Sequence, residues 1–188
     1  MRKNRKLFYQ NMVFNFFLDH IVDKQGHEVK EYFVMQPKQV TGELGGGVAI
    51  MPIFENKIGM VKIYRPAIDA SVWEVPHGFV ENEEAENEAV ARELKEEAGI
   101  VISADECVSL GFVAPDAGVI AARVHLFFAE VGDVRVKPVR ELGIEEFRFF
   151  SADEVKSMVM ESEIQDSFSI VSIFRYLSLR GRVNWQFS

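Results

Sequence analysis

The 188-residue chain carries a formal net charge of −8, 48% hydrophobic residues with sixteen Phe, and one cysteine. That length and apolar content suit one packed domain and exclude wholesale disorder, while an acidic balance gains nothing from counterion release on a nucleic-acid backbone. Cys107 cannot form an internal disulfide, and no run reaches the roughly eighteen apolar residues of a membrane span, so a cytoplasmic protein without nucleic-acid or membrane partners is expected.

The N-terminus, MRKNRKLFYQNMVFNFFLDH, is basic, but Asn and Asp interrupt its apolar stretch and no small-residue cleavage site follows, which makes a poor signal peptide. NMVFNFFLDHIV and EVKEYFVMQ are rich in β-branched and aromatic residues and flank DKQGH, where Gly26 can serve the turn; the pattern predicts a β-hairpin. A composition shift at the Gly45–Gly47 run divides an N-terminal extension, 1–44, from a main domain, 45–188. VAIMPIF and IGMVKIYR read as two further strands, joined across ENK. The Ala- and Glu-rich segment that follows has no Pro and no internal Gly, and predicts a helix closed by Gly99 as C-cap. VSLGFV, ARVHLFFAEV and EEFRFF are strand-like. SADEVKSMVMESEI opens with Ser151 and has Glu154 three residues on, a capping box, and SFSIVSIFRYLSLR supplies a last amphipathic helix. Strands and helices mix without strict alternation, so the fold class is α/β with a mixed sheet flanked by helices.

The acidic helix raises a chemical question. Gly78 to Ile100 holds eight Glu against Arg92 and Lys95, a local charge of −6. Glu93, Glu96 and Glu97 share one helical face, while Val90, Ala91, Leu94 and Ala98 form the apolar stripe. Like charges at this spacing cost about 0.2–0.5 kcal/mol per pair, and Arg92 offsets only part of it. A hard divalent cation would offset more; a solvated acidic face is the plainer alternative that helical spacing alone leaves open.

The spacing is more particular. Gly78, five residues, Glu84, seven residues, Arg92-Glu93, Leu94, any residue, Glu96-Glu97, any residue, Gly99 and Ile100 match the Nudix box at every fixed position. The segment resembles the Nudix hydrolases, which cleave a nucleoside diphosphate linked to another moiety. The resemblance implies an α/β/α sandwich and Mg²⁺, with Mn²⁺ as an alternative. It implies metal ligation by Glu93 and Glu97, with Glu96 as ligand or helper and the His77 carbonyl completing the shell. Glu84 and Arg92 would form a salt bridge fixing the helix to its loop.

YRPAIDASVWEVPHGFVE is similar to the stretch before the box in ADP-ribose and ADP-sugar pyrophosphatases, with His77 where a small residue is usual. That likeness implies Arg65 as a phosphate contact and Trp73 and Glu74 beside the nucleotide. Pro115, fifteen residues past Ile100, matches the mark of the same branch, although the surrounding Ser-Pro-Gly run is missing. A Glu on a loop before the last strand is the usual general base there, which points to Glu141, with Glu145 and the box residue Glu96 as alternatives. The extension would serve a homodimer and contribute to the substrate site. The implied function is hydrolysis of ADP-ribose or a related nucleotide sugar. Other nucleoside diphosphate derivatives such as NADH, or a non-catalytic nucleotide-binding module, are the alternatives. His125 reads as a satisfied core or lining residue.

Overall fold

The computed structural model describes residues 1–38, 44–132 and 143–181. Two sheets and three α-helices make up these residues. The first sheet is antiparallel, in the order β1 (Arg2–Gln10), β2 (Phe14–Val22) and β3 (Glu28–Pro37). The predicted hairpin is its β2–β3 pair. The first ten residues add a strand that the sequence reading did not contain.

The second sheet is built on β4 (Gly45–Phe54) and β5 (Lys57–Arg65), the pair predicted across the ENK turn, where Glu55 and Asn56 both take positive φ. Asn tolerates that conformation well. Then follow β6 (Ala70–Glu74), β7 (His77–Phe79), β8 (Val108–Val113), β9 (Arg123–Glu130) and β10 (Ile144–Phe150), in the spatial order β10-β5-β4-β9-β8, with β6 on β5 and β7 on β4. The β4–β9 pair is parallel and the others antiparallel, which makes the sheet mixed, as expected.

Strand β4 is buried along nearly its whole length, and its period of two divides the core. Ala49, Met51 and Ile53 face one hydrophobic cluster, which α2 (Ala152–Met160) and α3 (Ser167–Leu179) cover with Val155, Met158, Ile173 and Leu177. Val48 and Ile50 face the other, covered by α1 (Glu86–Ala98) through Ala89, Val90, Leu94 and Ala98. The result is an α/β/α sandwich. Ala91, assigned to the apolar stripe, lies at its margin, and Ala89 fills the place in the core.

The helix ends follow their sequence signals. Gly99 closes α1 at φ 68°, a left-handed conformation that its missing Cβ permits. Ser151 and Glu154 form the reciprocal capping box of α2, with the Glu154 N–H donating to Ser151 Oγ at 3.3 Å and the Ser151 N–H to Glu154 Oε2 at 2.7 Å. Among the described residues no helix is long and apolar enough to cross a membrane.

The N-terminal sheet is stitched to the segment after β8. The Met35 N–H donates to the Val119 carbonyl, the Ala121 N–H to the Met35 carbonyl, both at 2.8 Å, and Tyr32 Oη–H to the Gly118 carbonyl. These bonds bring β3 alongside the segment that carries Pro115.

Candidate active site

The loop entering α1 hugs the helix because glycines permit it. A methyl group on Gly78 would overlap the Glu93 carboxylate, and one on Gly47 would lie 2.9 Å from the Gly78 carbonyl oxygen. The carboxylate therefore rests against bare backbone.

Arg92 then ties loop and helix together with all five of its N–H groups. Nε and Nη2 clamp Glu84 at 2.9 and 3.0 Å, Nη2 also donates to the Phe79 carbonyl at 2.8 Å, and Nη1 reaches Glu93 at 2.7 Å and Glu96 at 3.0 Å. The expected Glu84–Arg92 salt bridge is present, and Arg92 holds the Glu84 carboxyl below its ordinary range. The box helix is thus fixed by a planar, five-donor group that a lysine could not reproduce.

Glu93 and Glu97, one turn apart, are 6% and 5% exposed, whereas the Glu96 side chain is half exposed. Buried glutamates are costly unless paired or hydrogen-bonded, and such clustering marks a site that takes positive charge. Glu97 Oε2 accepts from the His77 N–H at 3.0 Å. All three carboxylates line one cavity of about 670 Å³. As hard oxygen donors they suit Mg²⁺ or Mn²⁺. Among the described residues no three metal-ligating side chains already converge on one point. Mg²⁺ tolerates that, since it keeps several waters and takes substrate phosphate oxygens into its shell. The donor set fits the ion in kind, and substrate would complete the site.

The same cavity gathers Arg65, His77 and Pro115, together with Phe14 and Phe79, whose rings meet edge to face at 5.7 Å. Phe14 brings the N-terminal sheet to the site, as do Met35 and Pro37. None of these three carried a local sequence signal, because strand residues of the extension reach the cavity only through the tertiary fold. Phe168, from the start of α3, is likewise unannounced.

Arg65 is held by Glu74. Nε donates to the two carboxylate oxygens at 3.0 and 3.1 Å, and Nη2 donates to Oε2. Glu74 holds the guanidinium above its ordinary pKa, an effect that burial partly opposes. Glu74 itself is 3% exposed and does not line the cavity. It sits behind Arg65 rather than beside a ligand.

Trp73, expected next to the nucleotide, lies in the hydrophobic core, with its ring perpendicular to Phe150 at a centroid distance of 4.8 Å. Trp73 is taken up by the cluster that α2 and α3 cover, together with Met158 and Ile173, which withdraws its ring from the cavity. Glu145 is engaged with Ser71 Oγ and lies 3.9 Å from Lys62, away from the cavity lining. Glu141 lies outside the described residues. His125 pairs with Glu86 at 2.9 Å and packs on Phe112. Burial pushes the Cys107 thiol up to about 11, with Glu106 and Asp105 adding to it, so the thiol stays protonated at neutral pH.

The family described as NUDIX domain matches residues 43–169. The chain is 31% identical over 144 residues to the methanol dehydrogenase activator of Bacillus methanolicus, covering 72% of this chain and 73% of that one. It is 26% identical over 186 residues to the ADP-ribose pyrophosphatase of Bacillus subtilis strain 168, covering 97% and 94%. A crystal structure of an ADP compounds hydrolase superposes with a TM-score of 0.73 over 97% of this chain and 96% of that one, at 16% identity, a likeness of fold.

Proposed function

The chain belongs to the Nudix hydrolases, and on that premise we propose that it is a Mg²⁺-dependent pyrophosphatase, with Mn²⁺ as a substitute, acting on ADP-ribose or a related nucleotide sugar. The products would be a nucleoside monophosphate and a sugar phosphate. The observation that carries this reading is one cavity lined jointly by Glu93, Glu96, Glu97, Arg65 and the Phe14–Phe79 pair. It offers acidic, cationic and aromatic walls to a ligand with the corresponding parts.

Glu93 and Glu97 would hold the cation, with Glu96 and the His77 carbonyl as further donors. When bound, the cation neutralises pyrophosphate charge and lowers the pKa of a coordinated water. Arg65 contributes cationic N–H donors to a phosphate, and Arg92 keeps the box carboxylates in place. Attack by the water oxygen on phosphorus breaks the bond to the bridging oxygen, and the attacking water gives its proton to a carboxylate. Glu141 is the proposed base. Glu141→Gln is expected to lower kcat by about 10²- to 10⁴-fold, the usual weight of general-base catalysis. A change of only a few-fold would assign the proton to another glutamate, Glu96 or Glu145.

The test is incubation with Mg²⁺ and a panel of ADP-ribose, other nucleotide sugars and NADH, followed by detection of nucleoside monophosphate. Glu97→Gln is expected to remove most turnover while leaving the circular dichroism spectrum unchanged. Turnover by Glu97→Gln near the wild-type rate would place the metal elsewhere. Residues 1–44 are proposed to serve a homodimer and the substrate site, and the cytoplasm is the proposed location.

A further inference from the structure

His77 joins the two halves of the cavity. Its backbone N–H donates to Glu97 of the box, and its side chain meets Arg65, Nη2 to Nε2 at 2.8 Å. The ring's other nitrogen, Nδ1, lies 3.0 Å from the Val75 carbonyl oxygen. A carbonyl only accepts, so Nδ1 carries the proton. Nε2 is left with its lone pair, and Arg65 Nη2–H is the donor to it. The ring is further fixed by an edge-to-face contact with Phe168 at 5.2 Å, and its side chain is only 16% exposed.

The consequence falls on Arg65. Nε is spent on Glu74, and Nη2 is divided between Glu74 and His77. Nη1 has no hydrogen-bond acceptor among the described residues, and Arg65 lines the cavity with its side chain 35% exposed. Glu74 alone grips one edge of the guanidinium. His77 adds a grip from the adjacent corner and removes the remaining freedom of the Nη2 proton that Glu74 does not use. A small side chain here would supply no acceptor, and the guanidinium could swing about its contact with Glu74.

We propose that His77 is a positioning residue whose neutral Nε2 locks Arg65 so that its unused Nη1 edge is presented to an anionic phosphate oxygen of the substrate. This deepens the pyrophosphatase reading and rests on it for the identity of the ligand. Arg65 makes the contact; His77 fixes where the contact is made. The role asks for an acceptor at the Nε2 position, which Gln can supply with Oε1 and which Ala and the shorter Asn cannot.

The test compares His77→Ala, His77→Asn and His77→Gln in two readouts. The first is KM and kcat for ADP-ribose with Mg²⁺; the second is the Kd of inorganic pyrophosphate in EDTA, which reads anion binding without turnover. His77→Ala is expected to raise KM and Kd by about tenfold, the weight of one charge-assisted hydrogen bond, with a smaller fall in kcat. His77→Gln should recover most of that loss. If His77→Ala does not fold, His77→Asn carries the same expectation. Unchanged KM and Kd in the variants lacking the acceptor would overturn the proposal. So would a His77→Gln as impaired as His77→Ala, since packing on Phe168 would then be the cause, or a wild type that fails to bind pyrophosphate. A wild type that binds pyrophosphate in this His77-dependent way yet cleaves none of the nucleotides overturns the pyrophosphatase reading alone. A wild type that cleaves them with no dependence on His77 overturns this proposal alone.

Discussion

At the residue scale the site is organised by Arg92, because every N–H it has is committed to the loop or the helix. Glu84 is the anchor of that arrangement: it accepts two N–H groups of Arg92 and also the Glu81 backbone N–H at 2.9 Å, with its side chain 15% exposed. Arg92 first, then the Glu81 N–H, depress the Glu84 pKa below its ordinary 4.5 against the pull of burial. A depressed carboxylate contributes stability that is present above the unfolded-state pKa and is lost as pH falls through the folded-state value. Glu84→Gln should therefore destabilise the protein at pH 7 by about 1–3 kcal/mol, since it removes a charged acceptor and turns an amide N–H₂ toward donors. Denaturant melts from pH 7 downward should show the gap to wild type shrinking below about pH 4.5 as wild-type Glu84 takes up its proton. A pH-independent gap would mean that shape rather than charge is the source. Arg92→Lys is expected to lose activity as well as stability, because one ammonium cannot bridge Glu84, Glu93 and Glu96 together.

At the scale of elements, the parts that could be read in the sequence were those whose signals are local. The α1 helix has unbroken spacing and a glycine stop, α2 has its Ser151–Glu154 box, and β4 and β5 flank a turn with Asn56. Strand β1 gave no such signal. RKNRKLFYQ is mostly polar, with four basic residues, its burial shows no alternation, and its pairing with β2 is interrupted by two register shifts. What fastens it is non-local: Arg5 reaches across to Asp19 with Nε at 2.8 Å and Nη2 at 2.7 Å, while its guanidinium lies 4.5 Å over the Phe17 ring. Asp19 is 4% exposed, and the Arg5 hydrogen bonds keep its pKa below the ordinary value against the pull of burial. A fork-to-carboxylate contact between residues fourteen apart leaves no pattern in either segment. The same limit applies to Trp73, where residue type fits a binding wall and only the packing of α2 and α3 takes it into the core. Asp19→Asn should loosen β1 while sparing the main sheet. In hydrogen exchange, amides of 2–10 are expected to speed up by about tenfold or more, the equivalent of one charged hydrogen bond, with those of β4 unchanged. Equal acceleration in both sheets would show that the extension and the main domain unfold together.

For the whole molecule, the question is what covers the N-terminal sheet. The main sheet has helices on both faces, but the three-stranded sheet meets the rest of the chain chiefly through β3 and the Phe14–Phe79 contact. Its aromatic residues pack mainly on one another, Phe8 on Phe33 and Phe16 on Tyr9, Phe14 and Phe33. Leu7, Phe8, Tyr9, Val13 and Phe33 remain 40% or more exposed, and Met12 is 94% exposed. A cluster of that kind costs free energy in water at about 25 cal/mol per Å² of apolar surface left uncovered, and small sheets rarely stand alone without a face to bury against. A second copy of the chain would bring the same apolar surface and would satisfy both at once, in a two-fold arrangement where each copy's patch covers the other's. Light scattering at micromolar concentration is therefore expected to give twice the chain mass. Phe8→Lys, which places a charge in the patch and touches neither the box nor Arg65, should shift the protein toward monomer. Because Phe14, Met35 and Pro37 of the same sheet line the cavity, loosening the dimer should also raise KM for the nucleotide substrate more than it lowers kcat. A wild type that is monomeric at that concentration would sink the idea, and a monomeric Phe8→Lys variant with unchanged KM would separate assembly from the site.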